Sequence, residues 1–288
     1  MTALSVTTAP RLLVLGGPDS GKTTYRAQLY QRIENSPGEL RLRSSVDDRT
    51  AIEKDVERLV QGLQPLHTNR STYQSTTFAV ENRRGEPFVL EFADYDGEQV
   101  RKMSESNSMP LPWAERARHA QSWMYFLRID HVRPHKGFMT DPVGSAAYDE
   151  SSPSTDVNSE QSAESSAIET LQRLLFARGA SLRHPLSSPR LALLLSCWDE
   201  LTGGEGGLTP VAVLEKRAPL LCRFVSANWL PTELRVWGLS SIGQPLPEKD
   251  PDQHFARTGP EHFGFIVQDD GRREPDLTLP VGWLMQTL

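Results

Sequence analysis

The chain has 288 residues and 32.2 kDa, with 38% apolar and 24% charged residues. That suits one large globular domain or two small ones and excludes full disorder. No run approaches the ~18 apolar residues of a transmembrane helix, and Met1–Pro10 lacks the cationic-then-apolar layout of a signal peptide. Two cysteines, Cys197 and Cys222, are too few for a disulfide framework and suit a reducing compartment. A net charge of −6 with pI about 5.7 gives no general attraction to nucleic acid or anionic lipid. The expectation is a soluble cytoplasmic protein with neither a nucleic-acid partner nor a membrane span.

Arg11–Gly16 is a short apolar run closed by glycines and reads as a buried strand of a mostly parallel sheet. From Lys22 the spacing of Tyr25, Leu29 and Ile33 predicts a helix that Pro37-Gly38 ends. Asp47 and Asp48 can cap a second helix, whose apolar stripe is Ile52, Val56, Leu59, Val60 and Leu63. Residues 66–75 are polar, without a period, and read as a loop. Thr76–Glu81 and Phe88–Ala93 flank a turn-rich stretch and predict a β-hairpin. A helix follows Pro112, from Trp113 to about Gln121, and Trp123–Ile129 is another buried strand.

Residues 140–166 break the composition with serines among Asp and Glu, too few apolar groups to offset ordering entropy, and predict a flexible surface insertion. Strand–helix alternation then resumes: a helix on Ile168, Leu171, Leu174 and Leu175, a strand at Arg190–Ser196, a helix at Pro210–Arg223 and a strand at Arg235–Leu239. A hairpin around Asp269–Gly271 and a short apolar end, Val281–Leu288, complete the tail.

Gly16–Thr23 matches G-x-x-x-x-G-K-[ST] between a predicted strand and a predicted helix. Glycines let backbone N–H groups curl around a phosphate, and the helix N-terminus adds donors and a favourable dipole. Lys22 would reach the β- and γ-phosphates and the Thr23 hydroxyl would hold Mg²⁺. The hairpin's second strand ends in Asp94-Tyr-Asp-Gly97. An Asp there can hold Mg²⁺ through water, and a Gly three residues later can offer its N–H to a γ-phosphate, where an ordinary turn is the alternative. In Ser196-Cys-Trp-Asp199, a carboxylate at the end of a buried strand can accept the N1–H and exocyclic amine of guanine, a donor pair adenine lacks; a helix N-cap is the competing reading. Trp198 is either core or a stacking surface. Ser240-Ser241, after the last core strand, could present N–H groups to guanine O6.

This order of phosphate loop, hairpin ending in D-x-x-G, strand-S-x-x-D and strand-S-S resembles the TRAFAC class of P-loop GTPases. More narrowly, Gly17–Tyr25 with Asp94–Glu98 and Ser196–Leu201 is similar to the bacterial double-GTPase group. The resemblance spans about Arg11 to Gly243. It implies a three-layer α/β P-loop NTPase fold, with a mixed, mostly parallel sheet and one antiparallel edge hairpin. It also implies GTP/GDP with Mg²⁺, and membership of a multi-protein conflict or defence system, a second GTPase among the partners. Carried onto this chain, Gly17, Pro18, Asp19, Ser20, Gly21, Lys22, Thr23 and Thr24 form the phosphate site. Asp94 and Gly97 sense Mg²⁺ and γ-phosphate, while Ser196, Asp199, Ser240 and Ser241 face the base.

Two departures stand out. The usual guanine motif is N-K-x-D, and its first two positions here are Ser196 and Cys197, which weakens base affinity and GTP-over-ATP preference. Glu98 stands where a water-orienting Gln is usual; a carboxylate beside the γ-phosphate repels it, so slow hydrolysis is expected. Among Thr68, Thr72, Thr76 and Thr77, Thr72 is the expected third Mg²⁺ ligand. Arg70 could act as an arginine finger in cis or stand as a solvated loop cation. His131 with His135 lacks further ligands at metal spacing. The reading is a GTPase-like domain over 1–245, its insertion near 140–166, and an appendage, 246–288, packed on it. It would work as a slow GTP switch, with a non-hydrolysing nucleotide-binding scaffold and a P-loop small-molecule kinase as rivals; the hairpin argues against the kinase.

Overall fold

The computed structural model describes residues 10–35, 40–43, 50–66, 74–94, 109–132 and 163–286. In it the strands β1 (Arg11–Gly16), β2 (Leu40–Leu42), β3 (Gln74–Asn82), β4 (Pro87–Asp94), β5 (Ser122–Arg128), β6 (Arg190–Ser196), β7 (Leu234–Ser240), β8 (Phe265–Val267) and β9 (Arg273–Glu274) form one sheet. Their order is β2-β3-β4-β1-β5-β6-β7-β8-β9. The five middle strands, β4 to β7, run parallel, as strands buried on both faces do. The predicted hairpin, β3 with β4, is the antiparallel edge beside β1. Two further antiparallel features flank these: β2, which the sequence did not announce, extends that edge, and β8 with β9, the hairpin expected around Asp269–Gly271, adds to β7 on the other.

Helices cover both faces. α1 (Lys22–Asn35) and α2 (Thr50–Val60) lie on one side together with the C-terminal α8 (Leu279–Met285). The other side carries α3 (Leu111–His119), α4 (Ala163–Ala177), α5 (Pro210–Arg217) and α6 (Pro219–Asn228). A six-residue helix, α7 (Gln253–Thr258), capped by Asp252, packs Phe255 against Ala27 and Leu59. Alternate residues of β1 divide between the two cores, Leu13 and Leu15 with α3 and α4, Leu12 and Val14 with α1.

Several boundaries differ from expectation, each for a local reason. The single helix predicted over Pro210–Arg223 is two, because Pro219 lacks an N–H and its ring disfavours a helical residue before it; Ala218 leaves the helical region at φ −134°, ψ 64°. The last residues of the Ser-rich stretch open α4, where Glu164 is buried and its carboxylate accepts the Leu220 and Leu221 N–H groups at 2.6 and 2.9 Å. That carboxylate caps the N-terminus of α6, a favourable place for negative charge. Val60, expected on the apolar stripe of α2, is 45% exposed. Residues 133–162, which hold most of that stretch, and the capping positions Asp47 and Asp48 lie outside the described residues.

Helix α1 is buried almost all round, with Arg26, Gln28 and Gln31 inside as well as its apolar face. On one side Arg26 pairs with Asp55 of α2 at 2.8 Å and donates to Thr76 Oγ1 at 3.1 Å. On another, Tyr25 Oη donates to Leu277 O at 2.9 Å, Gln28 to the carbonyls of Pro260 and Phe263, and Arg32 to those of Phe263 and Pro275. Burial raises the Tyr25 phenol above its ordinary pKa and lowers the Arg32 guanidinium. α8 is fastened by cation–π contacts, Arg190 and Arg235 standing 4.7 and 5.4 Å from the Trp283 ring. Residues 253–285 therefore share the core of the same sheet.

Because Arg26 and Asp55 are both withdrawn from water, removing one partner leaves the other charge in a low-dielectric site. Asp55→Ala is expected to cost about 3–5 kcal/mol in chemical denaturation, whereas Asp270→Ala, which removes a solvent-screened surface pair with Arg272, should leave the midpoint almost unmoved.

Candidate functional site

The phosphate-loop motif leaves β1 through a turn that only glycine permits. Gly16 has φ +148°, and a Cβ on it would stand 2.6 Å from the Phe126 carbonyl and 2.8 Å from Ser20 Oγ. Asp19 (φ 53°) and Gly21 (φ 78°) also take the left-handed region, which curls the backbone between strand and helix. Lys22, 8% exposed, lies back across this curl. Its ammonium donates to Gly16 O at 2.9 Å, Gly17 O at 2.7 Å and Ser20 Oγ at 3.1 Å, and Ser20 in turn donates to Gly17 O at 2.8 Å. Pro18 and Asp19 form the exposed crest, and Thr23 and Thr24 stand half-buried in the first turn of α1.

Strand β4 runs parallel to β1 with Phe92 opposite Val14, so Asp94, which closes β4, arrives beside the start of the loop. Its antiparallel partner in β3 is Gln74, so the stretch before β3 also ends at this place. Thr76, one of the four threonines considered for Mg²⁺, is buried and accepts the Arg26 guanidinium, which removes it from the choice. Arg70, Thr72, Gly97 and Glu98 lie outside the described residues.

On the far side of the loop, β6 ends at Ser196, whose Cβ would be 3.8 Å from a Cβ added to Gly21. The buried Ser196 hydroxyl has no hydrogen-bond partner among the described residues. Cys197 turns the chain at φ 56°, ψ 40°, and Trp198-Asp-Glu200 forms a 3₁₀ turn. Trp198 is core and not a stacking surface: it is 1% exposed, its indole donates to Gly206 O at 3.3 Å, and its ring occupies the place a Cβ on Gly238 would take, 2.6 Å away. Asp199, half-buried between Trp198 and Glu200, makes no hydrogen bond or ion pair among the described residues. The N-cap alternative for Asp199 fails, since Thr209 caps the following helix α5. Ser240, fully buried, uses its hydroxyl to accept Gly243 N–H at 2.9 Å and so holds the turn after β7, while Ser241 beside it is half-buried.

These parts line up along the carboxyl ends of β4, β1, β6 and β7, where open α/β sheets bind ligands. They fit a nucleotide: a cradle that a side chain at Gly16 would destroy, an ammonium drawn over the loop, an orphan hydroxyl above Gly21, and an unengaged carboxylate at the end of β6. A small cleft adjoins the loop, between Gly16, Gly17, Tyr125 and Trp113 and the α4 pair Glu169 and Arg173. No group of three metal-binding side chains occurs among the described residues.

Other residues escaped the sequence reading. Arg128, at the end of β5, joins Glu200 at 2.9 Å and Asp130 at 3.2 Å, and Arg217 joins Glu205 at 2.6 Å. Nothing in the sequence marks the Arg128–Glu200 pair, whose members are 72 residues apart and meet only because β5 and β6 lie side by side. Gly238 did carry a signal, a glycine inside a strand, which often marks a close approach.

The Double-GTPase 1 family profile matches residues 13–284 of this chain. No curated protein matches. Among solved structures, the Arl6 BBS3 small GTPase from Trypanosoma brucei with a bound nucleotide analogue is 12% identical, covering 81% of this chain and 88% of its own, with a TM-score of 0.38. The signal recognition particle receptor SRb-GTP/SRX complex from Chaetomium thermophilum is 13% identical over 88% and 98%, with a TM-score of 0.41. The mammalian SRP receptor is 14% identical over 80% and 91%, with a TM-score of 0.35. No helix among the described residues is long and apolar enough to cross a membrane.

Burial pushes the Cys197 thiol up to about 12, with the neighbouring carboxylates adding to the effect and Arg128 opposing it. A raised thiol pKa means less thiolate at any pH below it, so Cys197 is inert rather than nucleophilic. Its alkylation by iodoacetamide at pH 8.5 in the folded chain should run at least ~100-fold slower than that of the same thiol after unfolding, where the pKa returns to about 8.5. Mass spectrometry of the labelled peptides checks this.

Proposed function

Since the chain belongs to the Double-GTPase 1 family, we propose that it is a GTP-binding switch that hydrolyses GTP slowly. The observation that carries the reading is the pairing of an unengaged Asp199 with the orphan Ser196 hydroxyl, both at the end of β6 beside the curled Gly16–Thr23 loop. Gly17, Ser20, Gly21, Lys22, Thr23 and Thr24 would hold the triphosphate through main-chain N–H groups, the ammonium and the helix N-terminus. Asp199 would accept two hydrogen bonds from guanine, with Ser196 and Ser241 lining the base and the buried Ser240 holding the turn after β7. Thr23, Asp94 and Thr72 would hold Mg²⁺, which neutralises charge on the phosphate oxygens.

Gly97 would donate to the γ-phosphate and thereby order the stretch after β4, so that hydrolysis releases it and changes a partner-facing surface. Glu98 would stand beside the γ-phosphate and repel it by its negative charge, which would slow hydrolysis, and Arg70 would act as an arginine finger in cis, stabilising charge at the breaking γ-phosphate bond. The partners fit a multi-protein conflict or defence system, a second GTPase among them.

Two measurements test this. In thermal-shift titrations with Mg²⁺, GTP and GDP should raise the unfolding midpoint more than ATP and ADP, a hundredfold excess over Kd being worth about 2.7 kcal/mol. Lys22→Ala should abolish the shift; equal stabilisation by adenine and guanine nucleotides would remove the base assignment. Single-turnover hydrolysis without an activator should stay below about 1 s⁻¹, with Glu98→Gln faster than wild type. No turnover in either protein would instead support the non-hydrolysing scaffold.

A further inference from the structure

We infer that Arg128 is a positioning residue for base recognition, bracing the Asp199 loop in place of the Asn and Lys side chains that this chain lacks. The inference rests on the reading of Asp199 as the guanine contact.

A carboxylate that reads two donors must hold its place to within hydrogen-bond geometry, so the loop beneath it needs fixing from outside. Ser196 and Cys197 cannot do this. The Ser196 hydroxyl has no partner among the described residues and a thiol is a weak donor, while Cys197 stands in a left-handed conformation that needs support from its surroundings. The support comes from the neighbouring strand. Arg128 ends β5 directly opposite Ser196 in the register, and its guanidinium spans two loops. Nη2 meets Glu200 Oε2 at 2.9 Å, while Nε meets the two oxygens of Asp130 at 3.2 and 3.3 Å.

A second arginine locks the same two loops farther out. Arg217 Nη1 donates to Ile129 O at 3.2 Å and Asp130 O at 3.1 Å, and its Nε meets Glu205 Oε2 at 2.6 Å. Lys216 holds the other oxygen of Glu205 at 2.5 Å. On the opposite flank, Trp198 is locked against Gly238. Asp199 thus lies between two fixed neighbours, Trp198 and Glu200, while its own carboxylate stays unengaged.

Arg128 suits this task and lysine does not, because one planar fork serves two carboxylates at once. Asp130, 13% exposed, is screened less, while the Arg128 side chain is 26% exposed and Glu200 33%, so water screens the Glu200 pair and limits its contribution to stability. Its effect belongs in base discrimination.

The test uses the full chain with Mg²⁺ and measures Kd for GTP, ITP and ATP. Inosine keeps N1–H but lacks the exocyclic amine, so the GTP-to-ITP affinity ratio, the Kd for ITP divided by the Kd for GTP, reports whether Asp199 meets both donors. Wild type should prefer GTP. Arg128→Ala and Glu200→Gln should each lower the GTP-to-ITP ratio about tenfold, the order of one hydrogen bond to a charged group. Unfolding midpoints should stay within about 3 °C of wild type. Arg128→Lys should fall between, and the Arg128→Ala/Glu200→Gln double variant should be no worse than Arg128→Ala alone, as expected for one shared interaction.

An unchanged ratio in Arg128→Ala, with or without a uniform loss of affinity, overturns the brace. Should Arg128→Ala fail to fold, the ratios of Arg128→Lys and Glu200→Gln decide by the same criterion. Wild type that does not distinguish GTP from ITP overturns the guanine reading and the brace with it, a failure visible before any substitution is made.

Discussion

The close approach of β1 to β5 at Gly16 is the constraint on which the rest of the site depends. With no Cβ there, the backbone turns out of the strand against the Phe126 carbonyl and brings its own carbonyl and that of Gly17 within reach of the Lys22 ammonium. Any side chain would push the loop off β5 and move the lysine, the Ser20 hydroxyl and the start of α1 together. Asp19 accepts a left-handed backbone to complete the curl, at a cost of about 1 kcal/mol that the surrounding contacts must offset.

The helix that leaves this loop is correspondingly over-held. α1 starts at Lys22, and within three turns its side chains reach α2 through Arg26 and the C-terminal segment through Tyr25, Gln28 and Arg32. That same C-terminal segment backs the turn after β7, because Gly264 packs so tightly on the Ser241 carbonyl that a Cβ there would collide with it. The phosphate loop and the Ser240–Gly243 turn are therefore tied to one body. The C-terminal segment thus does more than cover the sheet: it contacts both α1 and the turn after β7.

Much of the site was legible because its chemistry is local. The motif Gly16–Thr23 sits on consecutive residues, and steric rules for glycine and for helix N-termini act over a few residues. The five parallel strands announce themselves as apolar runs, and the β3–β4 hairpin as two β-rich runs around a turn. The division of the helix after Pro210 was also local, and Pro219 marks it. By contrast, the role of Trp198 rested on Gly238, forty residues on, and could be decided only once β6 and β7 lay side by side. The withdrawal of Thr76 from the metal-ligand choice likewise needed Arg26 to reach it from another element.

By itself the amino-acid sequence determined the loop, the strand–helix order and the types of residue at the carboxyl ends of the strands, since each follows from backbone sterics and periodicity within a short window. Tertiary structure alone decided which of those residues remain available. Whether a serine, threonine or aspartate can meet a ligand depends on whether some distant donor already holds it. Here Thr76 and Ser240 are held, by Arg26 and the Gly243 N–H, while Ser196 and Asp199 are left open. Such competition among polar groups is settled by packing across the sheet, and no stretch of neighbouring residues encodes it.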